Sequence, residues 1–221
     1  MTHRTATKDQ LLDLADRSGV RDGGTIYEML AEKYSEANGR HYHTLEHVGW
    51  VLHGVQTIAT NRELSDSRKL DIEWAAWFHD AEMSFSSAGN DDEERSAKLA
   101  YDTLNAAGYR EAFWVRRLIR ATAHTQEPDG DDQALLVDAD LGILAASETA
   151  FAEYERKVRR EWAHVPDEAF RTGRLAVLQR FAGMRRIYST DWAYNQWERK
   201  ARFNMAQSMQ RLSAGIVPGA T

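Results

Sequence analysis

The sequence predicts an all-α protein, a single helical domain spanning residues 1–221. Three observations predict it. Only 3 prolines and 14 glycines punctuate 221 residues, too few turn formers for many short strands. Apolar residues recur at three- and four-residue spacing in segment after segment. No segment makes a convincing strand.

Taken in order, Gln10 to Ala15 and residues 25–34 (TIYEMLAEKY) read as amphipathic helices, with Gly23 and Gly24 as the break between them. SEANGRHY (35–42) is a polar connection. Thr44 is placed to N-cap a helix on which Leu45, Val48, Leu52, Val55 and Ala59 follow helical spacing. A polar break at 61–67 leads into a strongly apolar helix, KLDIEWAAWFHD (69–80). SFSSAGND (84–91) reads as a loop, with Asp91 or Asp92 capping a helix that runs to about Ala107. Gly108 is a C′ residue beyond it. Residues 109–123 are helical again, and EPDGDD (127–132) is a turn. ALLVDADLGIL (134–144) is a strand by length and a helix by its neighbours. A helix follows over 148–162. Pro166 fits the first turn of one that ends near Gly183, and Asp191 starts the last, to about Leu212. This gives nine or ten helices, a core over about residues 25–212, and an N-terminal tail and residues 213–221 outside it.

Composition narrows the chemistry. Hydrophobic residues make up 43% and charged residues 28%, the balance of a globular domain. With no cysteine, disulfides, zinc–thiolate sites, iron–sulfur clusters and cysteine nucleophiles are excluded together. Any metal must be held by His, Asp and Glu. The net charge of −6 argues against general nucleic-acid binding, which calls for a basic excess. No apolar run approaches the roughly 20 residues of a membrane span, and the N-terminus lacks an apolar signal core. The expectation is a cytoplasmic protein.

Three clusters stand out. Ile72, Ala75, Ala76 and His79 fall at i, i+3, i+4 and i+7, on one helical face, so His79 ends a buried stripe. Asp80 follows it at the helix end, where a carboxylate meets the unfavourable pole of the macrodipole and a nearby cation would relieve it. Asp138 and Asp140 lie inside an apolar run, and a buried Asp needs a partner. Finally, His43 and His47 are four residues apart and can face the same way on a helix.

The order of these features, YHTLEHV (42–48), WFHDAE (77–82) and VDADLGIL (137–144), resembles the HD superfamily of metal-dependent phosphohydrolases. IRATAHT (119–125), YERKVRREW (154–162) and RRIYST with WERKARFNM (185–205) extend the likeness to a small bacterial branch of HD-domain hydrolases, over about residues 25–212. The resemblance implies an HD-type helical bundle with additional C-terminal helices. It implies metal ligands at His47, His79, Asp80 and Asp140, with Asp138 and His43 as the rival assignments. The implied activity is hydrolysis of a small phosphorylated metabolite, such as a nucleotide, by a metal-activated water.

Two imidazoles and two carboxylates suit a divalent ion such as Mn, Co, Fe, Ni or Zn, with Mg less natural. Asp80, Glu82 and His124 are the expected catalytic groups. Arg40, Arg159 and Arg186 are the expected phosphate contacts, since a planar guanidinium binds two oxygens at once. The resemblance favours one metal, since binuclear HD enzymes add histidines between the doublet and the last Asp and this chain has only His124 there. The alternatives are an HD-scaffold di-iron oxygenase and a non-catalytic metal- or nucleotide-binding module. The expected partners are a small phosphorylated substrate and, as a possibility the sequence leaves open, a second copy of the chain.

Overall fold

Short polar side chains set most of the helix starts. In the computed structural model, which describes residues 5–60, 64–85 and 91–219, Thr7 and Gln10 form a reciprocal capping box that opens α1 (Lys8–Ser18). Thr44 Oγ1 accepts from the Glu46 N–H to open α3 (Leu45–Ala59), as its position in the sequence predicts. Ser65 does the same for α4 (Asp66–Phe78). Asp91 stands at the N-cap of α5 (Asp92–Ala106) without a side-chain capping bond, since its carboxylate pairs with Arg95. Gly108 follows the end of α5 at φ +93°, the left-handed conformation expected of a C′ residue.

The described residues hold ten α-helices and two short 3-10 segments, with no strand. None of these helices is long and apolar enough to cross a membrane. The break expected at 61–67, the loop at 84–91 and the stretch at 213–221 lie partly outside the described residues.

Gly23 and Gly24 do not break the chain. They form the first turn of α2 (Gly23–Lys33), behind Asp22 in a left-handed N-cap conformation. A first turn leaves its N–H groups without intrahelical acceptors in any case, so glycine's weak helix propensity costs least there. The break falls instead at Gly19, which ends α1 at φ +66°.

The chain divides into two compact units, Met1–Asp140 and Leu141–Thr221. The first holds α1 to α5, α6 (Ala112–Ala121) and α7 (Asp131–Asp140). At its centre is α4, which packs against α1, α3, α5, α6 and α7. Ile72, Trp74, Ala75, Ala76, Trp77 and Phe78 are all at most 1% exposed, so the C-terminal part of α4 is apolar and buried all round rather than along one stripe. Trp74 and Trp77 are core residues. Leu11 and Leu14 of α1 are equally buried, so the core of this unit begins well ahead of residue 25. The second acid of α4, Asp71, is buried and accepts the Tyr109 hydroxyl at 2.6 Å.

The second unit holds a 3-10 segment (Leu141–Ala145), α8 (Glu148–Glu161), α9 (Asp167–Gly183) and α10 (Asp191–Ser213). The segment ALLVDADLGIL is thus helical throughout: α-helix to Asp140, then 3-10. Pro166 sits at the N-cap of α9, one position before its first turn. Three polar residues of α10 organise this unit. The buried Glu198 accepts the backbone N–H groups of Ile187 and Tyr188, and Arg202 donates to the carbonyls of Ala182 and Met184. Asn204 donates to the carbonyls of Leu144 and Ala146.

Candidate metal centre

The site lies in the first unit, where α3, α7 and the chain end of α4 converge. His79 is the C-cap of α4, and the chain turns at Asp80 and Ala81. The apolar stripe below it carries the His79 ring inward, and that ring is fully buried. Its Nδ1 lies 2.9 Å from the Ala76 carbonyl. A carbonyl can only accept, so Nδ1 carries the proton in the neutral ring and Nε2 presents its lone pair.

His47 lies in the first turn of α3, and its Nε2 is 3.0 Å from His79 Nε2. Asp80 Oδ2 is 3.1 Å from His79 Nε2 and 3.3 Å from His47 Nε2. These three residues form a group that could hold a metal ion. Asp140, the last residue of α7, brings Oδ1 to 3.2 Å from His47 Nε2 and 3.6 Å from His79 Nε2. Atoms held about 2.1 Å from one ion lie about 3.0 Å apart at a right angle and about 3.4 Å apart at a tetrahedral angle. The separations among His47, His79 and Asp80 and that between His47 and Asp140 fall in that range, and the 3.6 Å between Asp140 and His79 lies just beyond it. The two imidazoles are at most 3% exposed, while the two carboxylates keep about 15%. The nitrogens therefore form the floor of the site and the oxygens its open side.

Burial by itself lowers the pKa of each histidine. Hydrogen bonds to Asp140 and Asp80 outweigh it at His47, and the charge of Asp80 with the Asp140 bond outweighs it at His79, so both are raised. Asp80 and Asp140 are pushed up by burial but held well below the usual carboxylate range, Asp80 by the charge of His79 and Asp140 by its bond to His124. Two buried ring nitrogens facing each other at 3.0 Å repel unless a cation or a proton stands between them.

His124 joins from the far side: its Nε2 lies 3.0 Å from Asp140 Oδ2. It follows the end of α6 in the left-handed region, at φ +52°. A non-glycine residue there costs of order 1 kcal/mol, and the turn delivers the ring to Asp140. His43 is also near, its ring centroid 5.6 Å from that of His47. Asp138 is fully buried, two residues and some 200° around α7 from Asp140.

The other expected site residues are occupied differently. The Glu82 carboxylate is 2.5 Å from Lys33 Nζ. Arg40 is 2% exposed and turns its guanidinium onto backbone rather than toward solvent: it donates to the carbonyls of Asp80, Ala81 and His43. Arg159 and Arg186 belong to the second unit. Arg159 donates to Asp167 and to the carbonyls of Trp162 and Val165. Arg186 donates to Asp191 and lies over the Tyr194 ring.

Sequence reasoning missed Glu93. Burial raises its carboxyl above the ordinary range, the negative charge of Asp80 adds to this, and His124 opposes it, so its field reaches the site. The available signal was helical spacing. Glu93 lies three residues before Ser96, whose Oγ accepts from the Glu82 N–H at 2.9 Å, so both face the chain leaving the doublet.

A scan against protein-family models and searches of curated proteins and of solved structures found no match to this chain.

Proposed function

We propose that this protein is a metal-dependent phosphohydrolase of the HD type, acting on a small phosphorylated metabolite, with a nucleotide as the first class to test. The observation that carries the reading is the meeting of His47 Nε2, His79 Nε2 and Asp80 Oδ2 in one group that could hold a metal ion, with Asp140 Oδ1 brought beside the two imidazoles from 93 residues along the chain. Nitrogen and carboxylate donors together suit Mn, Co, Fe, Ni or Zn, and Mg less well. A divalent ion held there would supply a water of lowered pKa and polarise a phosphoryl oxygen.

This chain's residues supply the rest. His47 and His79 hold their lone pairs inward from a dry floor. Asp80 and Asp140 stand at the open side, where substrate would enter. His124 gives Asp140 an N–H donor on its outer oxygen, which keeps Oδ1 turned inward. As an imidazole beside the carboxylate side of the site, it is also the candidate to pass a proton to the leaving oxygen as the phosphorus–oxygen bond breaks. Lys33 engages Glu82, so Glu93, whose carboxyl is raised by burial and by the charge of Asp80, is the second acid to test.

The test is metal content and turnover together. The protein should bind one equivalent of Mn²⁺ or Co²⁺ and release phosphate in a screen of nucleotides, sugar phosphates and pyrophosphates. Asp80→Ala should lose both metal and activity while staying helical. Full metal content in that variant would defeat the site assignment. Oxygen uptake by the iron-loaded protein, with no phosphate release, would replace the hydrolase reading with an oxygenase.

A further inference from the structure

Among the described residues Arg40, 2% exposed, is the most deeply buried arginine or lysine, and its surroundings give it a specific task. Its Nη1 donates to the Asp80 carbonyl at 2.7 Å and to the His43 carbonyl at 3.3 Å, and its Nη2 donates to the Ala81 carbonyl at 2.9 Å. Asp80 and Ala81 form the turn that leaves α4 behind His79. His43 directly precedes Thr44, the cap of α3, and stands one turn ahead of His47. One guanidinium therefore joins the backbones of the two segments that carry His47 on one side and His79 with Asp80 on the other. The Tyr34 ring lies 5.1 Å from that guanidinium, and the Tyr34 hydroxyl donates to the Trp77 carbonyl at 3.0 Å. Ring and fork are thus anchored to the same end of α4.

We propose that Arg40 is a positioning residue that sets the spacing of His47 against the His79–Asp80 doublet by clamping the backbone carbonyls of His43, Asp80 and Ala81 from behind. The proposal rests on the metal-centre reading above. A planar fork with several N–H groups can meet three carbonyls at once, whereas an ammonium is a compact point donor that cannot span them. Its positive charge, close behind a cation site, does nothing to attract a metal. Its contribution is geometric, and a lysine, which keeps the charge, isolates it.

The test uses the full chain and Co²⁺, whose affinity is measured by calorimetry and whose visible absorption reports ligand geometry. Wild type should bind one Co²⁺. Arg40→Lys should keep the wild-type helical circular dichroism, bind Co²⁺ 10- to 100-fold more weakly, as loss of a ligand-orienting partner does, and show an altered absorption band. Tyr34→Phe keeps the ring and the fork but loses the bond to Trp77. It should stay within twofold of wild type for Co²⁺ even where its melting temperature falls. Should the lysine variant not fold, Arg40→Gln removes the charge together with the fork; losing a nearby positive charge favours Co²⁺, so weaker binding there still reports the lost clamp. Co²⁺ affinity within twofold of wild type and an unchanged absorption band in a folded Arg40 variant would overturn the proposal. So would parallel losses in the Arg40 and Tyr34 variants, which would mark a general stability effect. Absence of Co²⁺ binding by wild type itself would instead sink the metal-centre reading on which the proposal stands.

Discussion

Gly54 and Ala139 touch where α3 crosses α7. A Cβ added to Gly54 would lie 3.0 Å from Ala139 Cβ and 3.2 Å from Ala139 Cα. Gly54 is two helical turns beyond His47, on the same face, and Ala139 precedes Asp140. The missing side chain is what lets the two helices approach closely enough for Asp140 Oδ1 to reach 3.2 Å from His47 Nε2.

Substituting Gly54→Val should therefore separate α3 from α7. The neighbours are Ala139 Cβ and the backbone that carries it, none of which can swing aside, so the expected cost is about 2–3 kcal/mol of stability, with weaker Mn²⁺ binding than wild type. Urea denaturation and Mn²⁺ calorimetry measure the two effects. Unchanged stability would mean that the crossing has slack.

The two acids of α7 should separate cleanly. Asp140→Asn should lose metal binding, because it removes ligand charge from the open side of the site, and should also lower stability, because His124, His47 and His79 lose the carboxylate they pair with. Asp138→Asn should keep metal binding, because its side chain is directed elsewhere on the helix, and should cost about 1–3 kcal/mol, the usual penalty for disturbing a buried polar group. The reverse pattern would make Asp138 the ligand.

Metal binding should weaken as pH falls. A metal needs neutral imidazoles, and the carboxylates hold both His47 and His79 above their ordinary pKa. Affinity for Mn²⁺ should drop by up to about tenfold per pH unit for each proton displaced. In chelator the same groups act oppositely. The raised histidines stabilise the metal-free fold fully below pH 6.5, their ordinary value, and that contribution is lost as pH rises through their folded-state values. Melting temperatures with and without Mn²⁺, followed from pH 5 to 9, should diverge upward. A constant gap across that range would contradict the coupling.

Asp71 supplies an independent pH effect away from the site. Burial pushes its carboxyl up to about 6, against the hydrogen bond from Tyr109. Between its ordinary value of 3.8 and about 6 the folded state binds the extra proton, so stability falls as pH rises through that window. The full penalty is at most about 3 kcal/mol. Asp71→Asn keeps an acceptor for the Tyr109 hydroxyl. It should be about 1–3 kcal/mol more stable than wild type at pH 8 and no better at pH 4. An equal difference at both pH values would rule out titration of Asp71 as its source.

Much of the fold was legible in the sequence because helix formation is local. The spacing of Leu45, Val48, Leu52 and Val55, the cap at Thr44 and the stop at Gly108 depend on residues within a turn or two of one another. Gly23 and Gly24 were misread because glycine signals a break only where a helix needs propensity, and a first turn does not. His79 with Asp80 was legible for the same local reason, as the end of a buried run.

The sequence by itself determined the helical class, the absence of thiol chemistry and a short set of candidate His and Asp residues. Only the tertiary structure decided which of them meet. His47 and Asp140 lie 93 residues apart, and their contact depends on the absent side chain at Gly54. The same is true of Arg40. Its sequence context marks it only as a cation beside a histidine cluster, while the fold turns it inward onto three carbonyls. Spacing along a helix records which face a residue occupies. It does not record what that face will meet, because that is set by packing between helices distant in sequence.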